Sequence, residues 1–544
     1  MLTKHASLRQ SRAGCQRKLF RIMWSAMFLP VMVLVPLLSQ LVTNCWSANI
    51  LYISSVASPS HFLWSQRLFE RLAKLGYNLT VVNLYKQGTI KDVQFIKLDG
   101  IIDNLAMEEE DYIEFGQMNP FAVVMSFSEL ELYVCELAIK SPGFKSLLEY
   151  PKEFRFELVI HDHLAGPCLL ALLTRFNYPP LILATAYNRL STTTESLGSL
   201  IFPGFIPNQV YDVYGSMNFY QRCYNFLLFT WEILWKEFIY YPKLDSIVKQ
   251  ELNQTVSVSS LEKHALLAIL NSNPILEPSE PKLTNVIQAG GLHIKPSKPI
   301  PPDILKAIDS SANGAVLFSL GTNVRSDLMS TSILRNIITV MRNLPSLTFL
   351  WKLDSEHCLP LELPANVITS PWLPQNDLLA HPKLRLFITH GGLLSVQEAV
   401  WHGVPILGLP FFADQFGNVN QLVSKGIGKR MELVSLTSQQ FEHSIVDIIT
   451  NDSYKQTAMQ LSQIVRDQKE HPLDLAVWSV EWILRNAEMS HMWDRSLQQL
   501  GILEKYSLDV LIVFLGGLAL VLYYVNVMLY WVLIQKSWNK IRFK

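Results

Sequence analysis

Trp372–Gln415 reads WLPQNDLLAHPKLRLFITHGGLLSVQEAVWHGVPILGLPFFADQ. Its centre, Leu384–Thr389 (LRLFIT), is a short apolar run, as a parallel strand covered on both faces requires. His390-Gly391-Gly392 follows, and then a helix-like run from Leu393 to Trp401, closed by Gly403 and Pro405. Strand, glycine turn and helix in that order predict a parallel α/β fold.

The polar residues of the stretch suit one kind of ligand. A helix N-terminus presents free N–H groups and a positive dipole end, which favour a diphosphate. Gly391 and Gly392 let that backbone come close, and His390 adds a donor. Glu398, about one turn into the helix, can bridge two vicinal ribose hydroxyls. Trp372 offers a flat face to a base. Asp414-Gln415 is expected where a strand end meets the cleft. Singly, a Trp is core, His-Gly-Gly a turn and Asp-Gln a solvated loop; the joint spacing carries the signal.

The stretch resembles the signature of the UDP-glycosyltransferases, two-domain inverting enzymes, and the resemblance covers most of the chain. Val316–Thr322 (VLFSLGT) resembles the family's first C-terminal-domain strand and phosphate-contacting loop, and Gln288–His293 (QAGGLH) the segment before it. Pro472–Arg485 resembles the late helix that crosses back to the N-terminal domain, and Leu393-Leu394-Ser395 looks most like arthropod members. Many relatives carry Asn at the Leu394 position, a side-chain donor this chain lacks. The resemblance implies the GT-B fold, two Rossmann-like domains facing a cleft, and a UDP-sugar as co-substrate. It implies that Trp372 stacks on uracil, that Gln375 and Glu398 take the ribose, and that Asp414 and Gln415 read sugar hydroxyls. Ser319, Gly321, Thr322, His390, Gly391, Gly392 and Ser395 would hold the diphosphate. The acceptor would be a small lipophilic hydroxyl compound, as in detoxification, and the sugar glucose, with glucuronic acid as the alternative.

Composition sets outer limits. At 544 residues there is material for two large cores. Lys plus Arg equals Asp plus Glu at 46 each, which argues against a nucleic-acid binder. Arg9, Arg12, Arg17, Lys18 and Arg21 precede an apolar run from Ile22 to Val42, and small residues near Ala48 suggest cleavage. This reads as a signal peptide over 1–47, with an uncleaved anchor as the alternative. Val510–Ile534 is long enough to cross a bilayer, and Lys536, Lys540, Arg542 and Lys544 follow it. A membrane helix is expected over 508–535 and a cytosolic basic tail over 536–544, giving a single-pass protein of the endoplasmic reticulum with its bulk in the lumen. Sequons begin at Asn78, Asn253 and Asn451; Asn78 abuts an expected strand. Cys135, Cys168, Cys223 and Cys358 show no CxxC or metal spacing, and pairing is left open. A homo-oligomer is also left open.

Two α/β halves are expected. Asn49–Ser54, a helix from His61 to Leu75, and Leu79–Val82 make a βαβ start. Phe156–Ile160, a helix near Pro167–Arg175, and Leu181–Thr185 repeat the rhythm. Seven prolines between Pro274 and Pro302 mark the boundary between an acceptor-binding half, 48–285, and a UDP-sugar-binding half, 286–507. The aromatic-rich Tyr211–Tyr241 is expected to pack as helix, or else to form an apolar pocket or a membrane-facing surface. No Asp-x-Asp motif appears, so no metal is implied; no cofactor is expected either.

His61, after the first strand, and Asp162, after Phe156–Ile160, lie at strand carboxyl ends, where open α/β sheets place their sites. The resemblance makes them the catalytic His–Asp dyad. His61 would deprotonate the acceptor hydroxyl and Asp162 would fix its tautomer. Three rival readings are a catalytically silent nucleotide-sugar-binding membrane protein, a single-pass receptor, and an oxidoreductase. The oxidoreductase lacks its GxGxxG fingerprint.

Overall fold

The computed structural model describes residues 47–85, 90–102, 114–188, 191–213, 215–356, 359–493 and 495–542. The expected signal peptide, apart from Ser47, lies outside them, as do Cys358 and Lys544.

Two parallel sheets organise the chain. The first contains β1 (Asn49–Ile53), β2 (Asn78–Asn83), β3 (Val93–Lys97), β4 (Leu158–Asp162), β5 (Leu181–Thr185), β6 (Ala265–Leu270) and β7 (Val286–Gln288). Its order is β3-β2-β1-β4-β5-β6-β7. The second contains β8 (Ala315–Ser319), β9 (Thr348–Lys352), β10 (Val367–Ser370), β11 (Leu384–Thr389), β12 (Ile406–Gly408) and β13 (Gly428–Arg430). Its order is β10-β9-β8-β11-β12-β13. In each, the strand order reverses beside the first strand, between β1 and β4 and between β8 and β11. A crevice opens at such a switch point, outside the strand carboxyl ends.

The apolar runs are unbroken because both sheet faces are covered. In β1, Leu51 and Ile53 join one core cluster and Ile50 and Tyr52 another. In β8, Val316 and Phe318 face one cluster and Ala315 and Leu317 the opposite one. Burying each such side chain is worth about 1.5–3 kcal/mol.

The late helix Pro472–Asn486 packs on the first sheet's side, placing Leu473, Ala476, Val480 and Ile483 in the core of β1 and β2. Val286–Gln288 also belongs to the first sheet, three residues past the boundary expected at 285. Four of the seven boundary prolines, Pro296, Pro299, Pro301 and Pro302, come after that edge strand.

Three further expectations change. Strand β4 runs two residues later than Phe156–Ile160, so Asp162 is its last residue. The first helix begins two residues before His61 and is Pro59–Lys74, with Pro59 in its first turn, so His61 lies inside it and not at its start. The helix Phe219–Trp235 buries only Asn225, Leu228, Phe229 and Glu232. Tyr220 is 82% exposed and the nearby Phe238 is 69% exposed, so packing accounts for one stripe of this segment and not for its outer face.

Cys135 and Cys168 form a disulfide, a pairing the spacing did not reveal, and Cys223 is free and exposed. Asn78, Asn253 and Asn451 are all exposed. The helix Leu508–Arg542 includes a stretch, Leu508–Trp538, long and apolar enough to cross a membrane, with none of that stretch buried.

Candidate active site

The loops at the two switch points line one cavity of about 520 Å³. This is ample for a small ligand. From the first half come His61 and Tyr187; from the second come His293, Ser319, Gly321, Thr322, Trp372, Gln375, His390, Gly392, Ser395, Glu398, Asp414 and Gln415. Asp162 and Gly391 are not among the lining residues; Asp162 is hydrogen-bonded to the lining His61, and Gly391 lies between the lining His390 and Gly392.

On the first side, β1 and β4 pair in parallel with Ile53 opposite His161. This brings the residues that follow side by side. His61 Nδ1 lies 3.1 Å from Asp162 Oδ2 and 3.3 Å from Oδ1. Asp162 accepts further hydrogen bonds from Ser54 Oγ at 3.0 Å and Tyr52 OH at 3.4 Å. A carboxylate held by hydroxyls fixes the ring and the Nδ1–H tautomer, leaving Nε2 as the basic nitrogen. The flanking histidines take other roles. His161 Nε2 meets the Gly166 carbonyl at 3.3 Å, and His163 pairs with Glu262 at 2.8 Å and Thr193 at 2.9 Å. Tyr52 in β1 and Ser54 just after it are polar letters two apart, a signal the sequence reading did not use.

On the second side, β11 ends at Thr389 and the helix Leu393–Trp401 begins just after. Its first-turn N–H groups have no intrahelical partner and open on the cavity. Leu394 brings no side-chain donor, but its carbonyl meets His293 Nε2 at 3.3 Å.

The glycines make room for His390. A Cβ on Gly321 would come within 2.5 Å of the His390 ring and one on Gly392 within 2.4 Å. Gly321 and Gly391 also have φ of +80° and +87°, where side chains are strained. Burial first, and the Lys352 charge second, push His390 down to about 4, so its imidazole is neutral at pH 7. His390 Nδ1 is buried without a partner among the described residues.

Glu398 accepts from Gln375 Nε2 at 2.7 Å, and the same amide reaches Ser395 Oγ at 3.0 Å. Burial pushes Glu398 up to about 7, against the pull of Gln375. Trp372 is 61% exposed, so it is no core residue.

Asp414 and Gln415 stand at the start of the helix Gln415–Ser424, one loop beyond β12 and not at a strand end. Gln415 Oε1 accepts the Phe411 N–H at 2.8 Å and the Phe412 N–H at 3.2 Å, which leaves Nε2 for a ligand. Asp414 Oδ2 accepts from Asn418 Nδ2 at 2.7 Å, and burial pushes its carboxyl up to about 6.

Direct bonds tie the halves together. Gln397, on the Leu393–Trp401 helix, donates across to the Asn271 carbonyl at 2.9 Å. Asp212 holds Arg430 by two bonds of 2.8 Å. His293 and Tyr187 were not among the expected site residues. His293 closes the quoted QAGGLH segment, whereas Tyr187 had no local signal. Among the described residues no cluster of His, Cys, Asp and Glu has the form of a metal site.

The family model described as UDP-glucoronosyl and UDP-glucosyl transferase matches residues 73–540. His61 lies before that span, so its assignment rests on geometry. The chain is 29% identical to a UDP-glycosyltransferase UGT5 of Dactylopius coccus, over 84% of this chain and 86% of that one. It is 33% identical to UDP-glucuronosyltransferase 2B15 of Rattus norvegicus, over 71% of each. Among solved structures it resembles the glycosyltransferase of kitacinnamycin with a TM-score of 0.54 at 16% identity, covering 80% of this chain and 99% of the other. That likeness shows the expected GT-B fold.

Proposed function

This chain belongs to the UDP-glycosyltransferase family, an enzyme that uses a UDP-sugar, and we propose that it transfers glucose to a hydroxyl of a small lipophilic acceptor with inversion. The observation that carries this reading is that His61, buried against Asp162, lines the same cavity as Glu398, Gln375 and His390.

In the proposed reaction Trp372 stacks on uracil, and Glu398 and Gln375 take the ribose hydroxyls. His390, Ser395, Ser319 and the Gly321, Thr322, Gly391 and Gly392 backbone hold the diphosphate. The acceptor hydroxyl gives its proton to His61 Nε2 as its oxygen bonds to the anomeric carbon. The bond from that carbon to the β-phosphate oxygen breaks on the opposite face, and UDP leaves with the electron pair. Asp162 stabilises the imidazolium. The helix N-terminus meets the charge growing on UDP without reorganising. No step is routed through a metal or cofactor.

Glucose is favoured over glucuronic acid by the sugar end of the cavity. Asp414 and Gln415 suit hydroxyls, and a uronate carboxylate beside Asp414 would meet like charge. The rat relative is named a glucuronosyltransferase, so the test compares both donors. Microsomes carrying the chain are incubated with radiolabelled UDP-glucose or UDP-glucuronic acid and a panel of phenols and alcohols. Transfer chiefly from UDP-glucose is expected; transfer from UDP-glucuronic acid alone contradicts the sugar assignment.

We further propose a single-pass protein of the endoplasmic reticulum, with a cleaved signal peptide at 1–47 and glycans on Asn78, Asn253 and Asn451. The half 48–285 would bind acceptor and 286–507 the donor, with 508–535 in the membrane and 536–544 cytosolic. Protease added to sealed microsomes should trim only the tail; digestion of the large lumenal part without detergent contradicts this orientation.

A further inference from the structure

A second cavity of about 70 Å³ adjoins the cleft. The two share Phe127, Glu131, Leu164, Tyr187 and Asp414 as a common wall. Most polar atoms around the small cavity are matched. Lys236 Nζ donates to Glu232 Oε1 at 2.8 Å, and Asn208 Nδ2 donates to Glu232 Oε2 at 2.7 Å. Tyr241 OH donates to Glu262 Oε2 at 2.7 Å, and His163 holds Oε1.

Three groups are left over among the described residues. Glu131 accepts from Tyr240 OH on Oε2, and its Oε1 accepts nothing. Gln209 Oε1 is buried without a donor. The Tyr187 hydroxyl, on the wall next to the His61 ring at 5.6 Å between centroids, has no partner. Gln209 Oε1 is an acceptor only, Glu131 is one in its ionised form, and the Tyr187 hydroxyl can act either way. A buried acceptor without a donor costs about 1–3 kcal/mol, so such groups are seldom left alone. The chemistry missing from this cavity is a hydrogen-bond donor. The local composition agrees: four carboxyl groups, on Glu131, Glu232, Glu262 and Asp414, line the cavity with one lysine, Lys236, and one histidine, His163. Burial pushes Glu131 up to about 7, so an incoming donor relieves a poorly solvated carboxyl. The way in from the cleft is apolar, past Phe127, Leu130 and Leu164.

We infer that this cavity is the distal end of the acceptor site, and that it takes a hydroxyl or protonated amine borne by the acceptor at the end away from its reacting hydroxyl. The inference rests on the proposed transfer reaction. Glu131 and Gln209 are the receiving groups, and Tyr187 links them to the dyad. The volume suits a group of two or three heavy atoms, or about two waters.

The test uses the full chain in membranes and three phenols of matched length, ending in a methyl, a hydroxyl or an amine. Only the phenolic glycoside is scored. Wild type should show a KM lower by ~10-fold for the two polar-ended phenols, one hydrogen bond's worth. Glu131→Leu should erase that preference, and Glu131→Gln should keep it for the hydroxyl but lose it for the amine. Unchanged UDP affinity shows that each variant is folded. Equal KM for all three phenols in wild type, as for a cavity that merely holds water, overturns the inference. So does an equal loss on all three in Glu131→Leu. Absence of transfer by wild type to any phenol from any UDP-sugar overturns the proposed reaction instead, and the subsite with it.

Discussion

His61 Nδ1 and Asp162 Oδ2 lie 3.1 Å apart, although 101 residues separate them in the chain. The switch point between β1 and β4 brings them together, and both side chains are almost wholly buried. Asp162 is also gripped by Ser54 and Tyr52, so replacing its charge should leave the ring's surroundings in place. Asp162→Asn should therefore lower kcat by about 10²-fold or more while UDP affinity stays near wild type. Steady-state kinetics with calorimetric UDP binding checks this, and wild-type kcat in the variant would count against an electrostatic role for Asp162.

Donor recognition should divide between two carboxyls. Glu398 is hydrogen-bonded to Gln375, whereas Asp414 lines the cavity with His61 on the wall that also carries Tyr187. Glu398→Ala should weaken both UDP and UDP-sugar, by roughly 1.5–3 kcal/mol for hydrogen bonds to a charged group. Asp414→Asn should impair UDP-sugar turnover and barely alter UDP affinity. Equal losses of UDP affinity in both variants would move Asp414 out of the sugar site.

Glu398 also gives the donor site a proton signature. In the free protein burial holds its carboxyl at about 7, well above the ordinary value of 4.5. Two ribose hydroxyls favour the ionised form, so binding UDP-sugar near pH 6.5 should release roughly half a proton or more. Calorimetry in buffers of different ionisation heat measures that release, and Glu398→Gln should abolish it. The sign for folding is opposite to that of a salt-bridged acid. The folded state holds the proton more tightly than the unfolded chain, so this contribution is full below about 4.5 and is lost as pH rises through about 7. The stability difference between wild type and Glu398→Gln should fall across that window, and a flat difference would contradict the raised carboxyl.

Much of this was legible because both sheets are covered on both faces. Leu384–Thr389 was read to the residue, since an apolar run between Lys383 and His390 leaves no other place for a buried strand. β4 was misplaced because His161 and Asp162 looked like the end of a run; they lie within the strand, and burial is tolerated because each has a partner. The proposed donor side lies mostly on one strand–turn–helix segment, which carries its groups in order. The proposed acceptor side has no such segment. Tyr187, Glu131 and Gln209 come from separate elements, and no local period links them. The Cys135–Cys168 bond was illegible for the same reason, being a contact between distant segments without a spacing rule.

The central claim is that His61 is the general base for attack on a sugar held mainly by the other half of the molecule. The most direct test is His61→Ala, assayed for transfer from UDP-sugar to a hydroxyl acceptor and, on the same preparation, for UDP binding. The expected result is a loss of roughly 10²–10⁴-fold in kcat with UDP affinity near wild type. Combined with Asp162→Asn it should cost little more than alone, because the two residues act as one unit. Wild-type turnover by folded His61→Ala would contradict the account, and a large fall in UDP affinity would place His61 in the donor site.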